Sequence, residues 1–163
     1  ESESRAYNFM IGNVRSSVGH IECDGGGKIV HEVIRASSKQ QARFIGGRPR
    51  IDLTVQVRAN VGEVACRNLD LSSAETIRDI ERRSEDKLRA LIEKTIARAQ
   101  TEWKADLFGF GEAVRRADPR RWERLKNGWD ERYFPDLQVN VRVHFQMKQT
   151  GTITDSFLNE MAG

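Results

Sequence analysis

Two stretches of this chain alternate strictly between apolar and polar residues. In the first, Ile51, Leu53, Val55, Val57, Ala59 and Val61 share one face, and Asp52, Thr54, Gln56, Arg58 and Asn60 share the other. In the second, Leu137, Val139, Val141, Val143, Phe145 and Met147 alternate with Gln138, Asn140, Arg142, His144 and Gln146. A period of two predicts half-buried strands over Ile51 to Val61 and Leu137 to Met147. A sheet with one wet face is typically antiparallel, so helices are expected on one side of it only. Between these strands the period changes. Ile77, Ile80, Ser84, Leu88, Leu91, Ile92, Thr95, Ile96, Ala99 and Trp103 recur at three- and four-residue steps among charged residues, which predicts one long amphipathic helix from Ser72 to Lys104. Ser72 and Glu75 have the spacing of a capping box at its start. Packing on the sheet is expected over a coiled coil, since the apolar stripe lasts only about four heptads and Ser84 interrupts it.

The remaining pattern is shorter. Phe9, Ile11 and Val14 predict a strand over Tyr7 to Val14, and another is expected over Val18 to Cys23. Asp24 followed by Gly25, Gly26 and Gly27 predicts a loop, most simply that of a hairpin leading to a strand over Lys28 to Ala36. Ala42 to Ile45 runs into a second hairpin-type break at Gly46 and Gly47. Beyond the long helix, Glu112 to Ala117 predicts a short helix, and Asp118 followed by Pro119 starts another that Gly128 ends. Gly151 predicts a turn, and Asp155 to Ala162 a frayed helical tail. The fold class expected is α+β: an antiparallel sheet packed on one face by a long amphipathic helix plus short helices, with residues 1–163 forming one domain.

The long helix runs into Asp106-Leu107-Phe108-Gly109-Phe110-Gly111, a joint where Gly109 and Gly111 can take positive φ. Phe108, Phe110, Trp122 and Trp129 are expected to face inward there, and Asp106 to bond free backbone N–H groups of the turn. A nucleotide loop fits poorly, because the third glycine of G-x-G-x-x-G is missing and the stretch follows a helix instead of a strand. The joint therefore reads as structural, or as a docking turn for a partner.

Composition adds limits. With 163 residues, 38% hydrophobic and 31% charged, the chain can bury a real core under a solvated surface, and no apolar run reaches membrane-spanning length. Its opening Glu1-Ser2-Glu3-Ser4-Arg5 has neither a basic nor an apolar leader segment, so the sequence is expected to be a cytosolic protein or a piece of a longer one, and the absence of an initiator methionine favours the piece. Cys23 and Cys66 are too few for a disulfide scaffold and wrongly spaced for zinc, and their pairing stays open. His20, His31 and His144 all fall in predicted strands, and no metal, nucleophile or calcium motif can be written. No metal, no nucleotide cofactor and no catalysis are expected. The strongest local charge is the run Arg115, Arg116, Arg120, Arg121 and Arg124 with Lys126, around Trp122. Acidic residues in the same segment offset much of its field. A solvated face is the plainest reading, with contact to an anionic membrane or acidic partner next and nucleic acid last.

In their order and spacing, Asp106-Leu107-Phe108-Gly109-Phe110-Gly111, Pro119, Trp122, Trp129, Phe134-Pro135, the last strand and Thr150-Gly151 resemble the C-terminal domain of the GerAC-type (Ger(x)C) spore-germination lipoproteins. The likeness runs from about Gly27 to Gly151 and takes in the Gly46-Gly47-Arg48-Pro49 turn; residues 1–26 match poorly, and the family's lipobox cysteine has no counterpart at Cys23. The resemblance implies a subunit of a nutrient germinant receptor, held by an N-terminal lipid outside this chain at the outer face of the spore inner membrane. It also implies two membrane-spanning partner subunits and no catalysis, with a role in assembly or signal relay; with the absent motifs and the offset charge, no cofactor and no nucleic acid are expected. The readings that compete are a ligand-binding or enzymatic domain whose polar residues converge only in three dimensions, and a basic nucleic-acid module.

Overall fold

The computed structural model describes residues 1–149, so the turn at Gly151 and the tail from Asp155 to Ala162 lie outside the described residues. In chain order the elements are helix α1 (Ser2–Met10), strands β1 (Ser17–Glu22), β2 (Lys28–Ile45) and β3 (Arg48–Val64), helices α2 (Ala74–Arg98), α3 (Phe110–Ala117) and α4 (Pro119–Leu125), and strand β4 (Gln138–Gln149). The architecture is α+β, with one four-stranded sheet in the order β1-β2-β3-β4. That sheet is mixed and not wholly antiparallel. β1 pairs antiparallel with β2, from Ser17 opposite Val33 to Glu22 opposite Lys28, and the two-residue Gly46-Gly47 turn folds β3 back along β2. β4 runs the same way as β3: Arg50 Nη2 donates to Gln138 Oε1 and Asn140 Nδ2 to Asp52 Oδ1, a register in which both numbers rise together. The crossover from β3 to β4 carries all three later helices, as a parallel connection needs a dozen residues or more. Alternation reports a wet face and not a strand direction, which is why the sequence pattern pointed to an antiparallel neighbour.

The backbone packs as two compact units, each served by β2, β3, α2 and β4. The first comprises Glu1–Gly12, Ser38–Val55 and Arg89–Arg142. Its core is built on Ile51, Leu53 and Val55 of β3 with Ile92 and Ile96 of α2, all buried as the two periodicities require. α1 belongs here. Ala6, Phe9 and Met10 are buried at i, i+3 and i+4, so the segment expected as a strand over Tyr7 to Val14 is helical as far as Met10. Glu3 pairs with Arg98, whose guanidinium also lies 5.2 Å above the Trp103 ring, so Trp103, expected on the apolar stripe, is instead part-exposed. α2 ends in a widened π turn, Ala99–Trp103, that Lys104 closes in the left-handed region at φ 48°.

The second unit comprises Asn13–Ser37, Gln56–Leu88 and the chain from Val143. Val57, Ala59 and Val61 of β3 and Val143, Phe145 and Met147 of β4 are buried, with Ile80 and Leu88 of α2. In β2 burial falls on Ile29, His31 and Val33 and then moves to Ala36, and in β3 it moves from Val61 to Val64; such a one-residue slip is what a β-bulge produces. α2 begins at Ala74, with the Ser73 hydroxyl accepting from Thr76 N at 3.4 Å. Ser72, expected as the cap, instead donates its N–H to Asp70 Oδ1 at 2.9 Å. Two carboxylates of α2 reach the last strand: Glu85 Oε1 accepts from Phe145 N at 3.1 Å and Glu81 Oε2 from Met147 N at 3.0 Å. Cys23 and Cys66 are joined as a disulfide with Cα atoms 6.0 Å apart. Gly27 sits beside it at φ +85°, and a Cβ there would stand 1.6 Å from the Ala65 carbonyl oxygen.

Candidate functional site

The joint after α2 lies in the first unit, and one carboxylate organises it. Asp106 Oδ1 accepts from the N–H groups of Phe108 at 3.3 Å and Phe110 at 3.1 Å; Oδ2 accepts from Gly111 N at 2.6 Å and from the Trp129 indole Nε1 at 2.8 Å. Two of these donors are the opening N–H groups of α3, which have no partner within the helix. Asp106 thus does from four residues away what an N-cap does, and it also pulls Trp129 against the same turn. Its own N–H donates to Asp130 Oδ1 at 2.9 Å. A carboxylate offers about four acceptor positions, and here four donors fill them. What remains for general-base chemistry is small.

Around this hub the rings nest. Phe108 lies 5.3 Å from Phe110 and 6.4 Å from Phe134 by ring centroid, and Tyr7 of α1 lies 6.4 Å from Phe108. Phe108, Phe110 and Trp129 are buried. Gln40 of β2 donates to the Phe108 carbonyl at 2.9 Å, and Gln100 donates to the carbonyls of Phe134 at 3.0 Å and Leu137 at 2.8 Å, fixing the joint to a strand and to the end of α2. The two glycines differ in purpose. Gly109 takes φ +80°, while Gly111 is helical and is needed for space: a Cβ there would come within 2.8 Å of Trp122 Cη2 and 2.9 Å of Trp129 Nε1. Trp122 meets Trp129 edge-on at 5.3 Å but is only half-buried, short of the inward position expected of it. Truncating a ring costs in proportion to what is buried. Trp122→Ala is therefore expected to lower unfolding stability by about 1–3 kcal/mol and Phe110→Ala, with a fully enclosed ring, by about 3–5 kcal/mol, measured by urea denaturation. Equal losses at the two positions would contradict this packing.

The basic run is exposed throughout, on α3 and α4. Arg115 pairs with Glu112, its Nε 2.8 Å from Oε2, which holds the glutamate below and the guanidinium above their ordinary pKa values. Arg121 pairs with Asp118, the N-cap of α4, and its guanidinium lies 4.5 Å above the Phe44 ring of β2. Lys126 pairs with Glu123 at 2.7 Å. Arg116, Arg120 and Arg124 make no ion pair among the described residues. A shallow cleft of about 220 Å³ lies between the β2–β3 turn and α4, lined by Gly47, Arg48, Pro49, Leu125, Arg132 and Tyr133 among others. Spacing along the chain does not record this cleft, because its walls come from three separated segments.

Asp106 belongs to the first unit; His144, exposed on β4, belongs to the second. Among the described residues no cluster of three His, Cys, Asp or Glu side chains could hold a metal, and no helix is long and apolar enough to cross a membrane.

Comparison with known proteins matches residues 1–151 to the family described as spore germination B3/GerAC like, C-terminal. Spore germination protein KC of Bacillus subtilis (strain 168) is 28% identical over 120 residues, which are 74% of this chain and 29% of that protein. Spore germination protein B3 of the same organism is 22% identical over 151 residues, 93% of this chain and 40% of that protein. Among solved structures, the crystal structure of the GerBC protein superposes with a TM-score of 0.79 at 21% identity, over 89% of this chain and 44% of that one. The chain thus spans less than half the length of these relatives.

Proposed function

Because this chain belongs to the family of spore germination B3/GerAC-like C-terminal domains, we propose that it is a non-catalytic module of a germinant-receptor subunit, acting in receptor assembly or signal relay during spore germination. The observation that carries this reading is the family match over residues 1–151, within which the Asp106 joint is spent on structure. With its acceptor positions filled, the most conspicuous carboxylate of the chain positions α3 and the tryptophan pair and leaves Arg115, Arg116, Arg120, Arg121 and Arg124 displayed on the outside. A module built in this way serves contacts better than chemistry. Its partners are membrane-spanning receptor subunits, and a lipid on the longer protein would hold it at the outer face of the spore inner membrane.

The test is genetic and direct. In a spore former carrying this protein, in-frame removal of the region encoding the domain is expected to abolish germination by the nutrient that the receptor serves, followed as the fall in optical density of a spore suspension. The full-length protein, tagged, is expected to carry the other receptor subunits with it from detergent-solubilised spore membranes. Normal germination without the domain, or turnover of a substrate by the purified chain, would defeat the proposal.

A further inference from the structure

The arginines of α4 do not stand alone. Arg121 lies over Phe44, and Leu125 shares the cleft with Gly47, Arg48 and Pro49, so one side of α4 rests against the β2–β3 hairpin. Arg120 and Arg124, one position round the helix from that contact and one turn apart, are exposed beside it. Arg116 of α3 is exposed as well, and Arg48 and Arg132 line the cleft. At the tip of the hairpin, next to the Gly46-Gly47 turn, the apolar side chain of Ile45 is 49% exposed. Of the acidic groups nearby, Glu112, Asp118 and Glu123 are already held by Arg115, Arg121 and Lys126, Asp130 accepts from the Asp106 N–H, and Glu131 and the cleft-lining Asp136 stand against Arg48, Arg116, Arg120, Arg124 and Arg132. The surplus is positive.

We propose that this end of the first unit, the β2–β3 hairpin tip with α3 and α4, docks on the anionic surface of a lipid bilayer. Arg116, Arg120 and Arg124 would meet headgroup phosphates while Ile45 enters the headgroup layer. An acidic protein surface would explain the arginines but not the bare isoleucine at the tip; a bilayer explains both, since interfacial binding adds buried apolar area to attraction by anionic lipid. The surface names what the contact face of the receptor module meets, yet it does not depend on the receptor reading. Germination genetics and vesicle binding by the purified chain can fail independently.

Sedimentation with vesicles tests it. The 163-residue chain is expected to bind equimolar phosphatidylcholine–phosphatidylglycerol vesicles, to ignore phosphatidylcholine alone, and to be released by high salt. Each arginine near such a surface is worth on the order of fivefold in binding, so the Arg116→Ala/Arg120→Ala/Arg124→Ala variant should bind about a hundredfold more weakly. Ile45→Ser should weaken binding without changing its salt dependence. Arg82→Ala, which removes an exposed cation of the second unit, should leave binding unchanged. All five substitutions are at exposed positions, and unchanged melting temperatures would show that each variant is folded. Equal binding to neutral vesicles, an equal loss in the Arg82 variant, or equally tight binding to soluble polyglutamate would each overturn the proposal, the last in favour of an acidic protein partner.

Discussion

Replacing Asp106 by alanine is expected to cost about 3–5 kcal/mol of unfolding stability, a large part of the 5–15 kcal/mol typical of a domain. The carboxylate accepts from three backbone N–H groups and one indole N–H, and hydrogen bonds to a charged acceptor contribute about 1.5–3 kcal/mol each, although bonds to one group do not add independently. Alanine would leave the opening N–H groups of α3 and the buried Trp129 indole without their acceptor. Asparagine should lose almost as much, because its amide NH₂ must then face donors. Urea denaturation measures the loss, and the near-ultraviolet circular dichroism of Trp129 should flatten with it. A variant within about 1 kcal/mol of wild type would mean that water replaces the carboxylate, and the joint would not be the hub described here.

Loss of the Cys23–Cys66 disulfide is expected to rank beside it. The bond links residues 43 positions apart, and closing a loop of that length lowers the entropy of the unfolded chain by an amount worth about 4 kcal/mol in the chain-entropy picture. Around it the native structure is closely fitted: Cys23 N donates to the Gly27 carbonyl at 3.1 Å, Ala65 N to the Lys28 carbonyl at 2.9 Å, and Gly27 passes the Ala65 carbonyl with no room for a Cβ. The double Cys23→Ala/Cys66→Ala variant should unfold at lower urea by about 2–4 kcal/mol, and wild type in excess reductant should approach it. Quantitative reaction of both thiols in the native, unreduced protein would refute the bond.

How much of this was legible beforehand depends on what each pattern encodes. The periods of β3, β4 and α2 gave their existence and their buried faces, because alternation and a 3.6-residue stripe are direct imprints of one-sided burial. Strand direction leaves no such imprint. β4 has the same alternation beside a parallel neighbour as it would beside an antiparallel one, and only the pairings Arg50 with Gln138 and Asp52 with Asn140 distinguish the two. Phe9, Ile11 and Val14 alone suggest a strand, whereas Ala6 and Met10 complete a helical face with Phe9, and α1 is the result. At the joint, the liking of a short carboxylate for free N–H groups made the role of Asp106 foreseeable, but its bond to Trp129, 23 residues away, was not. The half-exposure of Trp122 was hidden for a related reason. Its ring meets Trp129 beside Gly111, a contact that spacing along α4 does not record. The cleft and the apolar tip at Ile45 depend on how separate segments meet, which spacing along the chain does not record.

The two glutamates that α2 extends to β4 have a further consequence. A strand at the end of a sheet normally offers a row of bare N–H groups, and such a row is an invitation to a strand from another molecule. On β4 the N–H groups of Phe145 and Met147 are already engaged, and the groups engaging them carry negative charge. An incoming strand would have to displace both carboxylates and bring its own carbonyl oxygens up to them. The second unit is thereby protected from edge-to-edge aggregation along this part of β4.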